Sequence, residues 1–247
     1  MFNRKETMKT NIRIIVLAVI LGITFYSMLA LTRCNTTAQE PVVTEWQQDF
    51  NISARTLISN GRNPYFILEP GFELVFESNY EKLVITVLDE TMDIGGIMTR
   101  IVEEREWKNG QLIEVSRNFF AMCKETRDVF YFGEEVDDYN NGKVIGHGGE
   151  WRADSPGTKP GLIMPGTPKV GMKYYQEIAP GIAMDRAEVI SLNEKFKTPA
   201  GTFDNCLKTQ EGSALKIWEK EFKHYAEGIG LIQDGNMLLV KYGFINN

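Results

Sequence analysis

The chain has 247 residues, 43% hydrophobic and 24% charged, with a formal net charge of −6 and only three cysteines. That composition excludes disordered, collagen-like and disulfide-scaffold classes, and the length suits one domain preceded by a leader. An acidic chain without a basic patch is also a poor partner for nucleic acid or an anionic lipid surface.

Arg4, Lys5, Lys9 and Arg13 precede an uncharged apolar run from Ile14 to Leu31. A charged flank before an apolar stretch is how an export signal is built, so residues 1–33 read as a signal peptide or membrane anchor with the rest of the chain outside the cytoplasm. As a helix the run reaches roughly 27 Å, nearly enough to span a bilayer uncut. Leu31-Thr32-Arg33-Cys34 resembles a lipoprotein box whose lipidated residue is Cys34, with Arg33 where such boxes carry a small residue. Thr36-Thr37-Ala38 offers an ordinary cleavage site instead. Loss of residues 1–33, with five basic side chains and one acid, moves the net charge from −6 to −10.

Residues 34–61 read as a tether, with one short helix expected between Thr44 and Ser59. Residues 62–247 read as a single β domain. Phe72–Glu77 alternates apolar and acidic side chains, and strand-like runs follow at 82–88, 97–107, 111–122 and 128–134. Asn109-Gly110 between two such runs predicts a tight hairpin, because both residues tolerate positive φ. Gly146 to Gly171 holds seven glycines and four prolines and is expected to be a long irregular loop. Strands resume at 173–177, 187–196, 202–209, 216–225 and 237–244. Short turns throughout imply an all-β antiparallel meander curved into an open or partial barrel. The runs Glu103-Glu104-Arg105-Glu106 and Lys216 to Glu221 are expected on solvated outer faces.

Asn63-Pro64-Tyr65-Phe66 with Pro70-Gly71, Val129-Phe130-Tyr131-Phe132-Gly133-Glu134, Lys159-Pro160-Gly161 with Met164-Pro165, and Tyr175-Gln176-Glu177 with Pro180-Gly181 resemble a group of uncharacterised bacterial secreted proteins and lipoproteins. The likeness covers residues 62 to 233. The closing part, Thr198 to Phe203 followed by Tyr225 to Leu231, is similar to the end of envelope proteins built as a curved open β sheet, with Glu227 where that pattern carries Pro. The resemblance implies location and fold and supplies no activity.

No metal or cofactor is expected. The two histidines, His147 and His224, lie far apart in sequence, and the chain has no Cys-x-x-Cys, Gly-x-Ser-x-Gly or His-Glu-x-x-His. Asp137 to Gly142 has the look of a calcium loop, but Tyr139 occupies a ligand position, so an Asn-Gly turn accounts for it. Glu134, Glu150, Glu177 and Asp185 are the carboxylates on which a glycoside hydrolase would draw. Cys123 and Cys206 either form a disulfide or stay apart, and strand parity favours two separate thiols. In the long loop, Trp151, Arg152, Asp154 and Lys159 combine a flat apolar face with directional charges and form the candidate ligand or partner site, unless Trp151 only plugs the sheet and Arg152 only pairs with Asp154. The expected role is non-catalytic binding of an apolar ligand or another protein in the concavity of the sheet, with a structural envelope role next and a carbohydrate-active hydrolase third. The membrane partner is met through the N-terminal segment or a lipid.

Overall fold

The computed structural model describes residues 45–245. The apolar leader and Cys34 lie outside them, and among the described residues no helix is long and apolar enough to cross a membrane. The described chain is all-β, with a single 3-10 turn at Ile52–Ala54 in place of the short helix expected between Thr44 and Ser59. Its strands are β1 (Leu57–Ile58), β2 (Gly61–Asn63), β3 (Phe66–Leu68), β4 (Phe72–Glu77), β5 (Glu81–Ile94), β6 (Ile97–Lys108), β7 (Gln111–Cys123), β8 (Val129–Asn140) and β9 (Lys143–Gly146). The second half holds β10 (Trp151–Arg152), β11 (Lys159–Met164), β12 (Lys173–Tyr175), β13 (Glu177–Ile178), β14 (Asp185–Thr198), β15 (Gly201–Ser213), β16 (Glu221–Ala226), β17 (Gly230–Asp234) and β18 (Met237–Phe244).

Antiparallel neighbours run from β12 through β14 to β18, then to β4 through β8, and finally to β11 and β13. The two halves join where β18 lies on β4, with Leu239 opposite Phe76 and Phe244 opposite Phe72. The ends of the path, β12 and β13, are separated along the chain by Gln176 alone. The sheet is therefore a nearly closed barrel with one unsealed seam, and a single stretch crosses from β14 on one side to β11 on the other. Gln176 donates its backbone N–H to Asp185 at 2.7 Å as it crosses.

The hairpins follow from turn chemistry. Asn109-Gly110 and Asn141-Gly142 both take positive φ between paired strands, as a two-residue turn requires. The span from Gly146 to Gly171 is less irregular than its glycines and prolines predict, because β10 and β11 both pair with β8 within it. Pro160 lies opposite Glu177 at the seam, while pairing with β8 begins at Gly161, so its missing N–H opens no gap in the ladder. Conversely, the strand expected over 216–225 begins only at Glu221.

Side chains directly opposite each other in a sheet share a face. Leu83, Ile85, Val87 and Val102 line the interior beside Phe72, Leu74 and Phe76. The hairpin of β2 and β3 closes this end, bringing Tyr65, Phe66 and Ile67 against the same apolar side chains. It is held there by Asn63, which donates its side-chain amide to the carbonyls of Arg127 and Pro165 at 2.8 and 2.9 Å. Outside, residues before β2 cover β7 and β8: Phe50 packs on Phe130, and Arg55 reaches Asp128 at 3.0 Å.

Candidate functional site

Sequence order alone suggests that a barrel of this kind has an apolar interior. Parity in the strands produces something different. In β6 the acidic run divides: Glu103 and Arg105 pair with each other at 2.7 Å on the outer face, whereas Glu104 stands opposite Ile85 and Ser116, and Glu106 opposite Leu83 and Glu114. Glu104 and Glu106 therefore belong to the lumen and correct the expectation of a wholly solvated run. Glu134 on β8 stands opposite Asn118, and Glu211 on β15 stands opposite Ala187 and Glu221.

Lys223 answers part of this field. Lys223 on β16 faces Asp234 at 3.3 Å, Glu211 at 3.5 Å and Glu221 at 3.6 Å. Burial opposes its charge, but these acids hold its pKa well above the ordinary lysine value. Glu211 also accepts hydrogen bonds from Tyr225 at 3.0 Å and Thr209 at 2.8 Å, so its lone pairs are well used. The remaining acids have less support. Burial comes first in raising Glu104 to about 8, and Glu106 and Glu134 to about 7, with neighbouring carboxylates adding to it. Glu177 is also pushed well above the usual range by burial, then by Asp185 and Glu134.

The lumen has two compartments of different chemistry. An apolar pocket of about 120 Å³ lies between the β2–β3 hairpin and Phe72, Leu74, Ile85 and Val87, and ends at Glu104 and Lys223. Toward the opposite end lies an open chamber of about 720 Å³, bordered by Glu134, Glu177, Asp185, Glu211, Glu219 and Glu221 and by Lys216, Lys220 and Lys223. Its rim carries Ile182, Leu215 and Trp218, all strongly exposed. Among the described residues no group of three or more potential ligands is arranged to hold a metal ion.

No family model, curated protein or solved structure matches this chain.

Trp151 is buried at 4% exposure, stands opposite Glu134, and meets Tyr131 edge-on at 5.3 Å between ring centroids. This placement depends on Gly133, where a Cβ would sit 2.2 Å from the Trp151 carbonyl oxygen; only glycine permits that backbone approach. Arg152 pairs with Asp154 at 3.1 Å on the surface, an exposed contact worth at most about 1 kcal/mol. Lys159 is exposed at the start of β11, opposite Ile178. Only Trp151 of the four loop residues thus contributes to the lumen wall, while the surface ion pair accounts for Arg152 and Asp154.

Of the four carboxylates singled out for hydrolytic chemistry, the fold gathers Glu134, Glu177 and Asp185 around one chamber. Glu150 is engaged elsewhere: it accepts the Val136 backbone N–H at 3.0 Å and lies 3.4 Å from His147. Cys123 and Cys206 do not bridge. Both are buried free thiols; Cys123 contacts Glu125 at 3.2 Å, and Cys206 contacts the Phe203 carbonyl at 3.5 Å.

Sequence reasoning missed Glu104, Glu106, Glu211, Lys223, Tyr174 and Asp234. Parity carried a signal for some of them. Lys223 alternates with Tyr225, and Glu104 with Val102, so each shares a face with a large apolar residue; the habit of sending charges outward overrode that pattern.

Proposed function

We propose that the chain is a non-catalytic envelope protein that holds a small molecule inside the barrel, with its bulk displayed outside the cytoplasmic membrane. The observation that carries this reading is the open chamber of about 720 Å³, bordered by the half-buried Glu134 and Glu177, which burial and neighbouring carboxylates hold above the usual carboxylate range. Small-molecule sites usually occupy roughly 300 to 1,000 Å³ and are largely preformed. A barrel built only as scaffold gains nothing from such groups, because each buried carboxylate costs stability unless it is paired.

The volumes also narrow the ligand. The apolar pocket, at about 120 Å³, is smaller than the roughly 150 Å³ cavity that accepts one benzene. A long acyl chain does not fit there, so a wholly apolar ligand is disfavoured against a polar one carrying at most a small apolar group. Location rests on the charged flank and apolar run of residues 1–33.

The test is recovery of the full chain from its native envelope, followed by native mass spectrometry. A stoichiometric small molecule, lost when Glu134→Gln is combined with Asp185→Asn, is the expected result. An empty lumen in every preparation would overturn the reading.

A second reading, glycoside hydrolysis, is favoured by the gathering of Glu134, Glu177 and Asp185 in one chamber, with Glu134 held near 7 where a general acid is useful. Turnover of chromogenic glycosides that Glu134→Gln abolishes would establish it in place of simple binding.

A further inference from the structure

Two neighbouring loops at the chamber end of the barrel carry apolar side chains that nothing among the described residues covers. Leu215, Ile217 and Trp218, between β15 and β16, are 46%, 63% and 76% exposed, and Ile182, in the loop before β14, is 54% exposed. The loops adjoin because Asp185 at the start of β14 stands opposite Ser213 at the end of β15. Single exposed apolar residues are ordinary on a protein surface, whereas a contiguous group marks a contact surface.

The longer loop is built to hold its apolar tips outward. Ser213 accepts the Leu215 N–H on its hydroxyl and the Lys216 N–H on its carbonyl, each at 3.3 Å, and the Lys216 carbonyl accepts the Glu219 N–H at 3.0 Å. The chain then folds back on Gly212, where a Cβ would sit 2.4 Å from the Glu219 carbonyl oxygen. The loop's charges are tied down instead: Lys220 donates to the Gln210 side chain at 3.2 Å, and Lys216 lies 3.4 Å from Glu219. Apolar tips ending in a tryptophan, beside lysines with apolar stems, suit the headgroup layer of a bilayer.

The place where the chain enters the barrel selects that occupant. The Arg186 guanidinium lies 4.4 Å from the Trp46 ring centroid, and Arg186 stands opposite Gly212. Trp46 and Ile217 line one small cleft, so the chain enters beside the apolar loop. From Cys34 to Trp46 the backbone spans at most about 43 Å. The β14–β15 turn at the other end lies a fourteen-residue strand further away. A second copy of the chain matches less well, because four side chains offer well under the roughly 800 Å² per partner of a stable interface. Lys216 and Lys220 are balanced by Glu219 and Glu221, and the chamber behind them is lined with carboxylates, so an anionic surface gains no attraction.

We infer that this end of the barrel docks on a zwitterionic bilayer surface, that of the membrane holding the chain's own N-terminal segment, with Ile182, Leu215, Ile217 and Trp218 in the headgroup layer. The inference rests on residues 1–33 or a lipid on Cys34 keeping the chain at a membrane, and not on the lumen being a ligand site. Apolar burial drives the contact, so salt does not weaken it.

The test is the full chain reconstituted in phosphatidylcholine vesicles, with tryptophan emission quenched by lipids carrying a nitroxide near the headgroup or near the bilayer centre. None of the four tryptophans lies in residues 1–33, and Trp218→Phe isolates the signal of Trp218. The shallow nitroxide is expected to quench the native chain more than the deep one does. Trp218→Phe should remove most of that difference, and high salt or added phosphatidylglycerol should leave it unchanged. Leu215→Asp combined with Ile217→Asp, both at exposed positions, should return Trp218 to water without moving the melting temperature. Flotation of the same vesicles separates docking from anchoring. A chain that floats while Trp218 stays unquenched keeps its anchor and overturns the docking inference. Quenching that appears only with phosphatidylglycerol overturns it as well, because the lysines and not the apolar tips then make the contact. A dimer in detergent that the two aspartates break assigns the loops to a second copy and overturns it too. A chain that fails to float overturns the docking and the membrane location together.

Discussion

Trp151 stands edge-on to Tyr131 with ring centroids 5.3 Å apart, and Tyr131 in turn stacks on Phe120 at 4.8 Å. Three aromatic rings thus join the short β10 to the inner wall of β7 and β8. The side chain that looks from sequence like a recognition residue is in fact part of the wall.

Deleting it should be expensive. Trp151→Ala is expected to destabilise by about 3 to 5 kcal/mol, the usual range for removing a large buried aromatic. Trp151→Phe keeps the ring contact and removes the unpaired N–H, which is itself a burden of roughly 1 to 3 kcal/mol when buried, so it should cost under about 2 kcal/mol. Urea unfolding of both variants checks this. A phenylalanine variant as unstable as the alanine one would show that the indole nitrogen has a partner.

The lumen carboxylates set a pH dependence whose sign follows from their raised values. Unfolded glutamates ionise near 4.5, whereas Glu106 and Glu134 ionise near 7 and Glu104 near 8 in the native chain. Between 4.5 and 8 the native state holds more protons than the unfolded one, so stability falls as pH rises through that window. Surface acids with lowered values, such as Asp154 beside Arg152 and Glu69 beside Arg62, act oppositely and lose their contribution as pH drops below 4.5. The melting temperature should therefore peak near pH 5 and decline toward pH 8.5. In Glu104→Gln the decline should be shallower; an unchanged slope would mean that Glu104 is not held protonated.

Cysteine chemistry offers a simpler check. Cys123 and Cys206 are buried at 1% and 0% exposure and lie in separate surroundings, and burial raises the pKa of Cys206. Thiolates are the reactive form, so neither should react with dithionitrobenzoate in the folded chain, and unfolding should release two further thiols. A reducing agent should leave the melting temperature unchanged. A shift on reduction would signal a bridge.

The outline of the barrel is legible in the sequence because turns carry their own chemistry. Asn109-Gly110 and Asn141-Gly142 mark hairpins that the structure contains, and the expected bounds Phe72–Glu77 and 237–244 coincide with β4 and β18. Short elements such as β10 and β13 are two residues long, too brief for a periodic signal, and they form by pairing with β8 and β11. The site is harder to read. Strand β16 places Phe222 outward, 42% exposed beneath Lys208, and turns Lys223 inward to three acids on two neighbouring strands and its own. Glu221-Phe222-Lys223 holds only one of the three acids; Glu211 and Asp234 lie more than ten residues away on either side, on the two neighbouring strands.

Lys223 provides the sharpest test of the lumen's construction. Its ammonium group lies within 3.6 Å of three carboxylates, and its side chain is 22% exposed. Lys223→Met preserves much of the stem's volume and removes the charge, leaving Glu211, Glu221 and Asp234 to repel one another. The expected loss at pH 7.5 is about 1 to 3 kcal/mol, below the roughly 3 to 5 kcal/mol of a fully buried pair because Lys223 and Glu221 remain partly solvated. Because the folded value for Lys223 is raised, its contribution is complete at neutral pH and fades only as pH climbs through that value. On the acid side the gap between native and variant chains should narrow below about pH 4, where carboxylates take up protons. Substituting Glu211 and Asp234 by leucine in the Lys223→Met background should restore much of the loss, since an apolar replacement of a whole buried cluster is often tolerated. Urea melts across that pH range decide the matter: a Lys223→Met chain as stable as the native one at pH 7.5 would show that the acids of the lumen do not depend on this lysine.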